Sequence, residues 1–200
     1  MTEPPPAAES AHAADTLVVR AKRDRAALGQ LYDIFYPTVL RYCLRRLGDR
    51  AVAEDLTSAV FLQIASHISH FGGCTETDFR RWLFRIATNG VHAHWRQCRR
   101  RNALWHQAAA SGRLAGPAAG GDPSDTAQAA LDWPAIQQAL LELNEREQSI
   151  VSLRFFAGCS HDEIAAIVGA SAAAVRTSLS RSLARLRVRL QPADVRQAPG

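Results

Sequence analysis

Along residues 28–49, LGQLYDIFYPTVLRYCLRRLGD, apolar side chains recur at three- and four-residue steps: Leu28, Leu31, Tyr32, Phe35, Val39, Tyr42 and Cys43. That period is the signature of an amphipathic helix. Pro37 has no amide hydrogen to donate, so it is expected to kink this helix or divide it in two. Gly48 is placed to stop it and Asp49 to cap a following helix. That next helix, AVAEDLTSAVFLQIASHI, carries an apolar stripe at Val52, Leu56, Val60, Ile64 and Ile68. Glu54, Asp55, Ser58 and Phe61 fall outside the stripe.

After the loop HFGGCTETD, a third helix is expected from Thr77 or Asp78. Its stretch from Phe79 to Arg101, FRRWLFRIATNGVHAHWRQCRRR, holds seven arginines and no acid. Advancing 100° per residue puts Phe79, Trp82, Leu83, Ile86, Gly90 and Ala93 on one packing side. Arg81, Arg85, His92, Arg96 and Arg99 fall on another, flanked by Thr88 and Trp95, with Asn89 at the other edge. Guanidinium groups neutralise phosphates, and an indole stacks on an unpaired base, so this face suits nucleic acid. The plain alternative is a solvated face with Trp95 in the core. The lack of acids argues against it, because solvated helices usually interleave signs to gain i,i+4 support.

Gly, Ala, Pro and Ser dominate from Ala108 to Asp132 without a period, which marks a flexible linker. A second helical block begins near Trp133, with two capping signatures: Asn144 with Glu147, and Ser160 with Glu163. Within it, Asp162 to Val168 forms a short helix that stops at Gly169, and Ser171 can cap a second helix from Ala172. Ala165 is small enough for a close crossing, and Val175 and Leu179 point inward. This is the grammar of a helix-turn-helix, whose second helix enters the major groove. The residues that would read bases are Ala172, Ala173, Ala174, Arg176 and Thr177, with Ser180 and Arg181 one turn on. Arg176 suits a guanine edge and the alanines a thymine methyl, while Ser171 and the helix start suit a phosphate. A two-helix packing unit with a basic face is the competing account.

The fold expected is therefore all-α, two small helical bundles joined by a linker. The boundaries are a disordered leader at 1–16, a first bundle at 17–102, a linker at 103–131, a helix-turn-helix bundle at 132–190 and a tail at 191–200. With 47% hydrophobic residues the chain can bury a core, and its formal charge of +5 points to a polyanionic partner. No Asp or Glu lies between Asp78 and Asp122, so the positive charge is clustered. Cys43, Cys74, Cys98 and Cys159 form no CxxC pair, and no signal peptide or apolar run of about 18–20 residues is present. Free thiols in the cytoplasm are the expectation. His94 and Cys98 share a helix face but no second pair matches them, so no metal or cofactor is expected. No P-loop, nucleophile elbow or His-Glu-x-x-His is present, and no independent enzymatic activity is expected.

Three stretches together resemble the bacterial RNA polymerase sigma factors of the extracytoplasmic-function (ECF) group. They are AEDLTSAVFLQIA, FRRWLFRIATN followed by WRQCRRR, and LNEREQSIVSLRFFAGCSHDEIAAIVGASAAAVRTSLSRSLARLR. The resemblance implies that the first bundle is sigma region 2. Its Glu54, Asp55, Ser58, Phe61 and Leu62 would dock on the clamp helices of the polymerase β′ subunit. The loop from His70 to Asp78 and the arginine helix would open the -10 element. The second bundle would be region 4, reading the -35 element and touching the β-flap, and an anti-sigma protein would be the regulator. A linker of about 29 residues reaches at most roughly 95 Å, enough for about 25 base pairs at roughly 3.4 Å per step. Where the family commonly has Arg-Asn this chain has Thr88-Asn89, and Gly90 is expected to weaken its helix by up to ~1 kcal/mol relative to Ala. The rival function is a helix-turn-helix regulator that acts without polymerase.

Overall fold

The computed structural model describes residues 17–110 and 133–190. The expected leader, the tail and linker residues 111–132 lie outside the described residues. Among the described residues every regular element is helical. Helix α1 spans Arg25–Leu47 as one element with Pro37 inside it, so the expected division does not occur. Leu31 and Phe35 before the proline, and Val39, Tyr42 and Cys43 after it, are all buried. Their packing on both sides outweighs the single backbone hydrogen bond that the proline forgoes. Gly48 ends α1 with φ 75° and its amide on the Leu44 carbonyl, and the Asp49 carboxylate accepts from Val52 N at 3.0 Å to start α2, Arg50–His67.

The stripe of α2 is wider than its apolar residues foretell, because α1 and α3 grip the helix from two sides. Ala53, Thr57, Val60, Phe61 and Ile64 are buried, while Val52 and Leu56 are only partly so. Thr57 is tolerated there because its hydroxyl donates to Ala53 O at 2.7 Å. Phe61, expected outside the stripe, packs on Tyr32 and Tyr36 with ring centroids 4.8 and 6.0 Å away. A 3₁₀ turn, Ile68–His70, leads to α3, Glu76–Ala110, which runs through 103–110 in the stretch expected as linker.

The packing face of α3 is Phe79, Leu83, Phe84, Ala87, Thr88 and Val91, with Trp82 and Ile86 only partly covered and Ala93 exposed. It is thus rotated from the expected face toward Phe84 and Thr88. Phe84 meets Tyr42 edge-on at 5.6 Å, and Trp82 stacks on Phe71 at 4.6 Å. Gly90 has a packing reason: a Cβ there would lie 2.6 Å from Leu56 Cδ1. The missing side chain lets α2 and α3 close, which offsets its weak helix propensity. Residues 17–21 add a short helical segment that buries Leu17, Val18 and Ala21. Its apolar run is too brief to show a period.

The second body contains α4, Trp133–Leu141; α5, Glu145–Phe155; α6, His161–Val168; and α7, Ala172–Leu190. Both expected capping boxes are formed. Asn144 accepts from Glu147 N at 2.9 Å while Glu147 accepts from Asn144 N at 3.1 Å, and Ser160 and Glu163 do the same at 3.2 and 2.7 Å. Leu143, Ile150, Leu153, Ile164, Val175 and Leu179 fill its core. Arg185 pairs with Glu147 and Arg189 with Glu142, holding α7 to the earlier helices. The two bodies are docked on each other, with α3 against α5 and α6 and α1 against α5.

Candidate nucleic-acid interface

The helix-turn-helix is built as its local chemistry dictates. Gly169 ends α6 with φ 65°, and Ser171 Oγ accepts from Ala174 N at 3.1 Å to start α7. Val175, Leu179, Ser182 and Leu186 face inward, which leaves the other side of α7 to solvent. Ser171, Ala173, Ala174, Arg176, Thr177, Ser180 and Arg181 are exposed, and Ala172 is partly so. Ala165 is buried where α6 meets α7. Every residue expected to read bases therefore sits on one accessible surface, a guanidinium beside small apolar and hydroxyl groups, which is the mix a major-groove edge accepts.

The arginine stripe of α3 is in a different state. Arg81 lies 3.8 Å from Asp78, whose carboxyl is held below its usual range chiefly by the Thr75 hydroxyl. Arg85 donates to Ala166 O at 2.6 Å, the His92 ring meets Ser149 Oγ at 2.9 Å, and Arg99 pairs with Glu145. Arg96 and Asn89 remain exposed. Thr88 does not flank the stripe as expected: it is 5% exposed and shares a hydrogen bond with Tyr42 at 3.0 Å. The rotation of the packing face has turned it into the core. Trp95 is half-buried, with its ring edge-on to His94 at 5.8 Å. Acids do answer some arginines of α3: Asp78 lies beside Arg81 on the same helix, and from distant sequence Glu145 answers Arg99 and Glu163 answers Arg80.

The residues that join the bodies were not singled out by periodicity. Arg80, outside the stripe by angle, donates to Glu163 Oε1 at 3.1 Å and to Ala157 O at 3.2 Å. Arg41 donates to Phe156 O at 3.1 Å, and Arg46 Nη1 to Gln148 Oε1 at 2.6 Å. Glu145, Gln148 and Ser149 lie at i, i+3 and i+4, so one face of α5 meets Arg99, Arg46 and His92. That polar triplet, directly after a cap, was the sequence signal available.

The electrostatics follow from this docking. Burial would raise the Glu163 carboxyl, but the Ser160 amide and Arg80 outweigh it and hold the group below its usual range. Glu145 is held low chiefly by Arg99. His92 is lowered by burial first and by Arg46 second, against the opposing pull of Glu145. Burial pushes the Cys159 thiol up to about 11, so it is not a nucleophile at neutral pH. His94 Nε2 and Cys98 Sγ are 3.3 Å apart, and among the described residues no group of three or more His, Cys, Asp or Glu side chains could hold a metal ion.

On α2, Asp55, Ser58 and Leu62 are exposed, Leu62 at 73%, and Glu54 pairs with Arg50 at 2.8 Å. Phe61 is buried beneath them and supports this face from below rather than presenting its ring. Tyr32 on α1 and Leu62 on α2 are exposed large side chains.

Comparison with known proteins places the chain in a family. The family described as Sigma-70 region 2 matches residues 31–101, and Sigma-70, region 4 matches residues 134–186. The ECF RNA polymerase sigma factor SigL of Mycobacterium tuberculosis is 30% identical over 175 residues, covering 88% of this chain and 95% of that one. The chain belongs to the ECF group of RNA polymerase sigma factors. The ECF RNA polymerase sigma factor BldN of Streptomyces coelicolor is 36% identical over 181 residues, covering 90% of this chain and 66% of that protein. The solved structure of CnrH in complex with the cytosolic domain of CnrY shares the fold, with a TM-score of 0.62 at 20% identity, over 88% of this chain and 96% of that one. Sigma factors are transcription initiation factors rather than enzymes. In this sigma factor, α1 to α3 form region 2 and α4 to α7 form region 4. Among the described residues no helix is long and apolar enough to cross a membrane.

Proposed function

We propose that this sigma factor binds core RNA polymerase in the cytoplasm through α2, with Glu54, Asp55, Ser58 and Leu62 presented over Phe61 toward the β′ clamp helices. Region 4 reads the -35 element through Ser171 to Arg181 on α7 and touches the β-flap. Region 2 opens and holds the -10 element with Arg81, Arg85, Asn89, His92, Trp95, Arg96 and Arg99. Thr88 serves from the core, by fixing Tyr42 behind the stripe. The observation that carries the reading is that each body has a basic helix, α7 open to solvent and α3 engaged by region 4, while α2 keeps Asp55, Ser58 and Leu62 exposed.

In the docked form Arg85, His92 and Arg99 spend hydrogen bonds on region 4, although Arg85 and Arg99 stay exposed, so these groups are not free for phosphate. Promoter binding therefore requires the bodies to part. The contact between them carries two ion pairs, Arg80–Glu163 and Arg99–Glu145, and hydrogen bonds from Arg41, Arg46 and Arg85. With 103–110 helical at about 1.5 Å per residue and 111–132 able to extend at about 3.4 Å, the span still reaches roughly 85 Å. That suffices for two promoter elements about 25 base pairs apart. Once one is engaged, the tether raises the effective concentration at the other. Control by an anti-sigma protein is part of this reading, since a partner that holds the bodies docked would keep the stripe engaged.

Run-off transcription with purified core polymerase on a genomic promoter pool tests the proposal. Defined starts that appear only with this chain are expected; tight duplex binding without core, and no starts with it, would favour a polymerase-independent regulator. Asp55→Lys is expected to abolish those starts by weakening core binding while circular dichroism stays unchanged. Normal core affinity in that variant would remove Asp55 from the docking face.

A further inference from the structure

Arg46 differs from the other arginines between the bodies. Arg80 is answered by Glu163, Arg99 by Glu145 and Arg85 by a carbonyl. Arg46, in the last turn of α1, is 8% exposed and donates from Nη1 to the neutral amide of Gln148. Its Nε and Nη2 are buried with no hydrogen-bond partner among the described residues. A guanidinium cannot shed its charge and carries five donors in a fixed fork, so burial against a carboxamide leaves it short of a counter-charge.

The surroundings on region 2 have one sign. Arg46 and Arg96 both act on His92, and the acid that opposes them, Glu145, is contributed by region 4. When the bodies part, Glu145 and Gln148 leave together, and Arg46 faces solvent beside His92, Arg96 and Arg99. His92, Arg96 and Arg99 are spaced i, i+4 and i+7 on α3, about 6 and 10.5 Å along its axis. Those intervals are on the order of two and three phosphate steps at about 3.4 Å per step along a strand. Arg96 and Arg99 keep their charge at every working pH, and with Arg46 they bring three guanidiniums around His92, a grouping that suits phosphates.

We propose that Arg46 is a further promoter-backbone contact, capped by Gln148 while the bodies are docked and free to take a DNA phosphate through its fork once they part. This rests on the sigma-factor reading. Phosphate oxygens satisfy the fork bidentately, which supplies the charge and the acceptors that Gln148 does not.

The test uses holoenzyme assembled with purified core, titrated against salt on a promoter recovered by the run-off experiment. Arg46→Met keeps the side-chain volume and removes a buried charge, a change that folds tolerate well. It is expected to lower the slope of log affinity against log salt by about 0.7–0.9, with several-fold weaker binding at 0.1 M salt and unchanged core affinity. Arg46→Lys, which retains the charge, is expected to keep the wild-type slope. Should the Met variant fail to fold, Arg46→Gln is measured in the same way. A wild-type slope in the neutral variant, while Arg96→Ala lowers it, would overturn the Arg46 contact and leave the sigma-factor reading standing. A wild-type slope with lost binding to poly-glutamate would assign the guanidinium to protein carboxylates and overturn it equally. If no defined starts are recovered, the underlying reading has failed and the proposal falls with it.

Discussion

Two helices of this sigma factor, α3 and α7, carry much the same basic chemistry and differ in what engages it. On α7, Ser171, Ala173, Ala174, Arg176, Thr177, Ser180 and Arg181 stand in solvent. On α3, Arg85, His92 and Arg99 are engaged by region 4 through Ala166, Ser149 and Glu145. The cause lies in what each helix must bury. The inward residues of α7 are satisfied within its own bundle, so its outer face needs no cover. The outer face of α3 instead meets the polar side of α5 and the end of α6. Region 4 thus leaves the outer side of α7 in solvent while α5 and α6 engage α3. On the function proposed above, docking separates two recognition steps that an open chain would perform together.

The strongest way to break this contrast is to remove the ion pair at the centre of the docking. The Arg80 and Glu163 side chains are only 23% and 11% exposed, so leaving one unpaired is expensive. Taking roughly 3 kcal/mol for a broken buried pair, Arg80→Met is expected to shift the ratio of docked to parted forms by about 100-fold. Small-angle scattering of the free protein should show a larger radius of gyration. An unchanged radius would mean that Arg41, Arg46 and Arg99 hold the bodies without Arg80. Glu163 is the less clean choice, because it also completes the capping box of α6.

A second prediction sharpens the contrast instead. Arg176→Ala is expected to weaken binding of the free protein to a -35 duplex by about 10- to 100-fold, the worth of one good guanine contact. That loss should be the same in the wild-type and Arg80→Met backgrounds, since Arg176 is accessible in both forms. Arg99→Ala on a pre-melted -10 probe should cost little in the wild-type free chain and more once Arg80→Met has freed the stripe. Equal losses in both backgrounds would show that region 4 does not shield Arg99.

What could be read from the residues alone divides along the same line. Helix ends depend on neighbours three or four residues away, and Asp49, Gly48, Gly169 and both capping boxes stand where their chemistry puts them. The outward face of α7 was equally legible, because Val175 and Leu179 fix its inward side. Tertiary partners decided the rest. Phe61 was drawn under Tyr32 and Tyr36, and Thr88 was turned onto Tyr42. Ala93 was left exposed, and Pro37 was carried within one helix because residues on both sides are anchored. The pairing of Arg80 with Glu163 spans 83 positions, a separation that no helical period reports. The absence of acids near the arginines was real in sequence and untrue in space.

The smallest predicted effect is also the one that reports on the covered helix alone. His92 sits in the contact facing Arg46 from α1, Arg96 on its own helix, and Glu145 and Ser149 from α5. Docking adds burial, the largest cause favouring the neutral ring, against the pull of Glu145, while Arg46 and Arg96 act in both forms, so docking lowers its affinity for a proton relative to a free imidazole at about 6.5. A group lowered in this way contributes fully above that ordinary value and loses its contribution as pH falls from there toward the lowered one. Glu145 and Glu163 are themselves held low, so they stay ionised through that window and do not reverse the sign. Acidification from pH 8 to 5.5 should therefore loosen the docked form, measured as a growing radius of gyration. His92→Gln, which can keep a hydrogen bond to Ser149 but cannot titrate, should flatten the response. Docking that tightens on acidification would mean that attraction between Glu145 and a protonated His92 exceeds the cost of burying that charge. Since α7 contributes no residue to this contact, Arg176-dependent binding should stay level across the same range.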